Sequence, residues 1–396
     1  MAALPLYTVR WSYGPLPTTL LETLILATVL VYAVARWREG VRRPVATPFD
    51  IPIAVLLVAG AVSVFVAADH RGALGLYRAY FVEPILLFYV AADLLRSEGS
   101  VRRLLVAFAI GSSAFALLNL GVFYQALAVH RVLVGAAPNA LYGDANYVAM
   151  YMEPPLAFGA ALLMLSRELT WKLVGAAWML LTGASLVLTF SKGAYLAVFA
   201  LLVLVIVTVP RWRVAVVAVV TVGVVVATQV PLLVARMATI ASSVDGRIQV
   251  FGNALEVIRS HPVFGVGLAA YSYSFRSARP VIYPHNIWLT FWVEVGLLGL
   301  AAFAVVFLGA LWRGWRRWPA AEGFWRVALW GSLAALLMWL AHGFVDSPYW
   351  KNDMSVEFWM LIALVTVARR AEVGRLEKLE VVSGAVVADR PLATVR

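Results

Sequence analysis

The amino-acid sequence predicts an all-α protein: a polytopic transmembrane helical bundle of about 11–12 spans with one long, partly helical extracytoplasmic loop. Three observations predict it. Of 396 residues, 63% are hydrophobic and only 13% charged, against roughly 25% charged in an ordinary soluble domain. The apolar residues come in blocks of about 20, the length of helix that crosses a hydrocarbon core of about 30 Å. In lipid every backbone polar group must be satisfied internally, and the alternation of a membrane β-barrel is absent, so the blocks are helices.

Eleven spans are predicted, near residues 18–36, 51–68, 76–94, 104–128, 145–165, 172–190, 194–209, 213–230, 287–311, 326–344 and 354–369. The two around residue 190 share a tight turn at Ser191-Lys192-Gly193. Residues 1–370 form the transmembrane domain, with the loop 231–285 inserted, and residues 371–396 form a mixed-charge cytoplasmic tail. Residues Met1–Pro17 carry Arg10 as their one basic residue and have no small-residue cleavage site, so no removable signal peptide is expected. A missed or broken helix near residues 4–20 would raise the count to twelve and move the N-terminus to the other side.

The net charge of +11 does not point to nucleic acid, because the basic residues sit in short clusters at the ends of apolar blocks. Alternate loops, from Arg36–Arg43 through Arg96–Arg103, Arg167/Lys172, Arg211/Arg213 and Arg313–Arg326 to the tail, hold 21 of the 32 Lys and Arg residues. The positive-inside rule makes these loops cytoplasmic. All five histidines (His70, His130, His261, His285, His342) then fall at the outer face, together with the long loop, and loops of that length are usually functional. There is no cysteine, which excludes disulfides and thiolate metal sites. With no Asp-x-Asp pair and no His-x-x-x-His, the sequence supports neither a bound metal nor a cofactor.

Within the loop, residues 245–262 predict an amphipathic helix. Asp245 is its N-cap, Ile248, Phe251, Leu255 and Ile258 form its apolar stripe, and Pro262 is its stop. Arg247 then occupies the first turn, where free N–H groups and the helix dipole favour an anion. The guanidinium fork suits a phosphate there, but it equally suits an arginine snorkelling to lipid headgroups. His285, at the lip of the ninth span, is the residue type for acid–base work near neutral pH or a structural interfacial histidine. Lys192 is one of only four lysines and sits at a hairpin tip, a position that suits a ligand charge or a merely solvated one. Asn286, Asn146, Asp144, His342 and Asp346 are candidates for substrate-binding or supporting roles at the same face. Glu22, Glu83, Glu153 and Glu294 are intramembrane carboxylates, which are costly and often functional. Glu294 follows His285 by 2.5 helical turns, about 13 Å deeper and on the opposite side, and reads as a packing partner.

Several segments, in order, resemble the O-antigen ligase family, polytopic enzymes that include lipopolysaccharide O-antigen ligases and related polymerases. His285-Asn286, nine residues, then Gly296-Leu297-Leu298-Gly299 is similar to the family's His-(Asn/Ser/Gln)-x9-Gly signature. Gly246-Arg247 and Ile258-x-x-His261-Pro262-x-Phe264-Gly265-x-Gly267 resemble the preceding loop motif. Gly143-Asp144-Ala145-Asn146-Tyr147 resembles the family's span-opening Asn-Tyr segment, and Ser191-Lys192-Gly193-Ala194 its Ser-Arg-Gly-Ala turn. The resemblance covers roughly residues 140–300. It implies a multi-pass protein of the bacterial inner membrane, and transfer of a saccharide from an undecaprenyl-diphosphate-linked donor to a glycan or glycolipid acceptor hydroxyl at the outer face. Arg247 and Lys192 would hold the diphosphate and His285 would serve the acceptor. Lys192 departs from the family's arginine, keeping the charge and losing the bidentate fork. A polymerase using the same donor and a lipid-linked sugar transporter or flippase are the competing readings. The absence of an evident repeat and the gathering of polar groups at one face favour an enzyme over a transporter.

Overall fold

The computed structural model describes residues 1–14, 16–41, 45–132, 137–273 and 282–368, and the predicted tail, 371–396, lies outside the described residues. Each of the eleven apolar blocks is helical. They are α1 (Leu20–Arg38), α2 (Asp50–Val66), α3 (His70–Tyr77) continued by a π-helical turn (Arg78–Val82) into α4 (Glu83–Leu94), α5 (Glu98–Ala128), α6 (Ala145–Leu165), α7 (Leu169–Val187), α8 (Lys192–Thr208), α9 (Arg213–Gln229), α12 (Ile287–Arg317), α13 (Gly323–Gly343) and a last helix, α14, over residues 352–368. The intervening α10 (Pro231–Ala238) and α11 (Ile240–Ser260) belong to the long loop. Eight helices among the described residues are long and apolar enough to cross a membrane, and α2 and α8 are shorter apolar helices. The protein is an all-α polytopic membrane protein.

No spanning helix occupies residues 4–20. A short 3-10 turn, Leu4–Thr8, leads into an antiparallel hairpin, Arg10–Tyr13 with Leu16–Thr19, in the register Arg10↔Thr19 to Tyr13↔Leu16. Thr19 then caps α1, its hydroxyl accepting from the Glu22 N–H while Glu22 accepts from the Thr19 N–H, the reciprocal capping box that starts a helix. Glu22 is itself buried, bound by Arg78 at 2.6 Å and by the Asn352 amide at 2.6 Å. Arg78 also pairs with buried Glu83 at 3.0 Å. Two costly carboxylates thus share one guanidinium from the π-helical turn.

The core is built on α6 and α14, whose residues are almost all buried, and on the mostly buried α13, with α6 packed between α7 and α13. The helix α12 lies on α2 and α13. It is broken at Gly296, where φ is 78° and ψ is −179°. The segment 263–267 fills the break: Leu297 N–H donates to Val263 O at 2.9 Å and Val266 N–H to Val293 O at 2.7 Å. A Cβ on Gly296 would sit 2.3 Å from Val263 O, and one on Gly265 2.2 Å from Val293 O. Glycine alone permits both the left-handed backbone and this approach. Irregular backbone inside a membrane protein needs such protein partners. Glu294, expected as a packing partner, accepts from Ala269 N–H at 3.1 Å through its carboxylate and from the Ser63 hydroxyl at 2.6 Å through its carbonyl. It secures the loop to the bundle.

The loop helix departs from expectation. It begins at Ile240, not at Asp245, because the Ile240–Val244 stretch holds no Pro or Gly to stop it. Asp245 is not an N-cap, and Arg247 stands in the second turn, away from the free N–H groups of the helix start. The buried stripe is Ala254, Val257 and Ile258, while Ile248 and Leu255 are exposed. The helix ends at Ser260, as Pro262 requires.

Candidate active site

His285 is the last residue but one before α12 and has a left-handed backbone, φ 53°. Asn286 caps the helix, accepting from Trp288 and Leu289 N–H at 3.0 and 3.1 Å, and its amide reaches Phe344 O at 3.1 Å. With Thr290 Oγ1 and Ser347 Oγ 2.8 Å apart, this staples the start of α12 to the turn after α13. The role of Asn286 in the fold is therefore to position its neighbour.

That turn carries Asp346, whose Oδ1 lies 3.2 Å from His285 Nδ1. The carboxylate is 1% exposed and the imidazole 37%, so the acid backs the ring while the ring faces outward. Burial pushes the Asp346 carboxyl up, but the hydrogen bond and charge of His285, the charge of His342 and the Ser347 N–H outweigh burial and hold it below its ordinary value. An ionised Asp346 accepts the Nδ1–H and leaves Nε2 as the basic nitrogen.

Arg247 arrives from the loop side. Its Nε donates to Val345 O at 2.8 Å, one residue from Asp346, so the expected guanidinium and imidazole do meet at one turn. Lys192, the first residue of α8, donates from Nζ to Thr239 O at 2.6 Å and to Thr239 Oγ1 at 2.9 Å. Arg236 of α10 donates to Phe190 O at 2.9 Å. Lys192 feels the charges of both Arg236 and Arg247. Three half-buried cations therefore lie within electrostatic reach of one another, and Arg236 is the one that sequence reasoning missed. Beneath them His342 is buried, its Nδ1 bonded to Glu153 and its ring pressed on Gly193, where a Cβ would meet Nε2 at 2.3 Å. His342 thus supports the Lys192 turn from below and is closed off from the outside.

Asp144 caps α6 by accepting from Asn146 N–H at 2.7 Å, and Asn146 sits half-buried in that first turn. Beside them is a second feature the sequence hid. Lys351 donates to Tyr7 Oη at 2.6 Å and lies 3.8 Å from the ring centroid of Tyr147 and 4.7 Å from that of Tyr142. Burial pushes the Lys351 ammonium down to about 8. Tyr147 Oη is 3.0 Å from Tyr283 Oη, and the Tyr283 ring is 4.9 Å from that of His285. A wall of tyrosines therefore runs from the N-terminal segment to the imidazole. The scarcity of lysine was the only signal for Lys351, and its aromatic cage draws on Tyr7, 344 positions away in the chain, together with Tyr142 and Tyr147. Among the described residues there is no group of three metal-ligating side chains.

The family model described as O-antigen ligase matches residues 176–304. That stretch runs from α7 into α12 and takes in Lys192, Arg236, Arg247, the docked 263–267 segment, His285 and Gly296. No curated protein matches the chain. Residues 176–304, about a third of the chain, are thus similar to the O-antigen ligase family, in a chain whose helices are those of a multi-pass membrane protein.

Proposed function

We propose, from the similarity of residues 176–304 to the O-antigen ligase family, that the protein is a membrane glycosyltransferase of the ligase type. It moves a saccharide from an undecaprenyl-diphosphate-linked donor to an acceptor hydroxyl of a glycan or glycolipid, on the extracytoplasmic face of the bacterial inner membrane. The observation that carries the reading is the convergence of His285–Asp346 and Arg247 on one turn, with Lys192 and Arg236 in electrostatic reach.

In the proposed reaction the acceptor O–H gives its proton to His285 Nε2 and its oxygen attacks the anomeric carbon. The bond from that carbon to the diphosphate oxygen breaks, and undecaprenyl diphosphate leaves with the electron pair. Arg247 and Lys192 stabilise the departing charge electrostatically, and a single displacement inverts the anomeric centre. The imidazolium formed on His285 is stabilised by Asp346. The scheme calls on no metal and no cofactor. Tyr147, Tyr283 and Lys351 offer stacking faces and a cation for a sugar bound beside His285.

The test is a transfer assay with purified protein, a lipid-linked oligosaccharide and an acceptor. A new glycosidic linkage is expected, falling by about 10²–10⁴-fold in His285→Ala. Lipid translocation without a new linkage would mean a flippase, and full transfer by a well-folded His285→Ala would remove the base assignment. Loss of activity on chelation would remove the metal-free scheme. In cells, deletion of the gene that leaves intact but unattached glycan chains supports a ligase, whereas single repeat units indicate a polymerase.

A further inference from the structure

The opposite end of the bundle holds a second basic site. A cleft of about 830 Å³ opens where the α6–α7 loop, the α8–α9 connection and the start of α13 meet. Arg167, Lys172, Arg211 and Arg326 line it, and none of its lining residues is acidic. Among the described residues none of the four cations is ion-paired. Arg326 Nε and Ser166 Oγ are buried without a hydrogen-bond partner. Unpartnered buried donors cost free energy unless something outside the chain satisfies them. Arg326 and His342 stand sixteen residues apart on α13, about 24 Å along the helix, so the cleft and the candidate active site lie at opposite membrane boundaries.

The shape of the cleft indicates what fills it. Its polar end is cationic, while Leu169, 69% exposed, and Leu173, 61% exposed, line its side on α7. A basic head region that opens onto an apolar helix flank matches a phosphate attached to acyl chains. Loop arginines that serve only to set topology have no need to converge on a concave site.

We propose that this cleft binds the phosphate headgroup of an anionic membrane phospholipid. It is separate from the catalytic reading above and stands or falls without it. The test titrates detergent-purified full-length protein with short-chain phosphatidylglycerol, phosphatidylcholine or inorganic phosphate, following thermal stability, and counts retained lipids by native mass spectrometry. Phosphatidylglycerol is expected to stabilise the protein and phosphatidylcholine not to. The double variant Arg167→Ala/Lys172→Ala should weaken the phosphatidylglycerol effect about tenfold, each cation contributing a few-fold. The charge-preserving Arg167→Lys/Lys172→Arg variant should retain the effect, which separates lost binding from lost folding. Equal stabilisation by both lipids, equal stabilisation by inorganic phosphate, or unchanged affinity in the alanine double variant would overturn the proposal.

Discussion

The imidazole and the cations of the candidate site rest on two very different supports. His285 and Asp346 stand on the start of α12 and the turn after α13, tied into a core in which α6 is almost wholly and α13 mostly buried. Arg236 and Arg247 stand on α10 and α11, preceded by α9. Of these, α10 has no buried residue and α9 has only Val216. His285 is held by a side-chain bond to the bundle, while the cations hold on mainly through backbone carbonyls: Val345 O for Arg247, Phe190 O for Arg236, and Thr239 O together with Thr239 Oγ1 for Lys192. The contrast teaches a division of labour. In the proposed reaction the proton acceptor needs fixed geometry to meet its hydroxyl, whereas charges that would receive a bulky lipid diphosphate can sit on a less buried arm.

The comparison can be broken most severely on the fixed side. Asp346→Asn should lower transfer on the order of 10²-fold or more, because the imidazolium loses its counter-charge and Nδ1 its acceptor. The same variant has a stability signature. The folded-state value of Asp346 lies below the ordinary 3.8, so its contribution is present above the ordinary carboxylate range and is lost as pH falls through the folded value. Melting curves from pH 7 down to pH 3 should therefore be less pH-dependent in the variant than in the parent. Among the cations, Arg247→Ala on the arm and Lys192→Ala at the start of α8 should each reduce kcat/KM for the lipid donor by about tenfold to a hundredfold, and Lys192→Arg should retain activity because it keeps the charge and presents a bidentate fork. Steady-state kinetics with varied donor would check this, and a loss confined to the acceptor KM would contradict it.

Two smaller effects sharpen the contrast. Gly296→Ala should cost about 1–3 kcal/mol, read as a lowered melting temperature, because the left-handed backbone is retained while the new Cβ presses on Val263 O. Amide hydrogen exchange, which perturbs nothing, should be faster across α9 and α10 than across α6 and α13. Equal protection in the two sets would abolish the distinction between arm and bundle.

The fold was legible because lipid imposes one rule: an apolar block of the right length must be helical, and all eleven blocks are. Where that rule stops, legibility falls. The start of α11 was misread because Asp245-Gly246 looks like a cap, yet the five residues before it continue the helix without a breaker. The motif residues Lys192, Arg247 and His285 stood out by type and position, and the turn that gathers Arg247 and His285 lies at Val345–Asp346, about a hundred residues beyond Arg247. Asp346 was visible as a carboxylate at a span end but not as the partner of His285. Glu153 was visible as a costly intramembrane acid but not as the partner of His342, 189 residues away. Arg236 and the tyrosine wall left no local pattern. Pairings across such separations are set by helix packing, which periodicity does not encode.

The break in α12 has one more consequence. Because segment 263–267 is sewn into that break, α11 is anchored near its C-terminal end, where Ala254, Val257 and Ile258 pack against α12. Arg247 lies thirteen residues upstream of Ser260, on a lever of about 20 Å. A tilt of about 5° at that anchor would carry the guanidinium nearly 2 Å along that lever's arc, enough to make or release its bond to Val345 while the imidazole stays still.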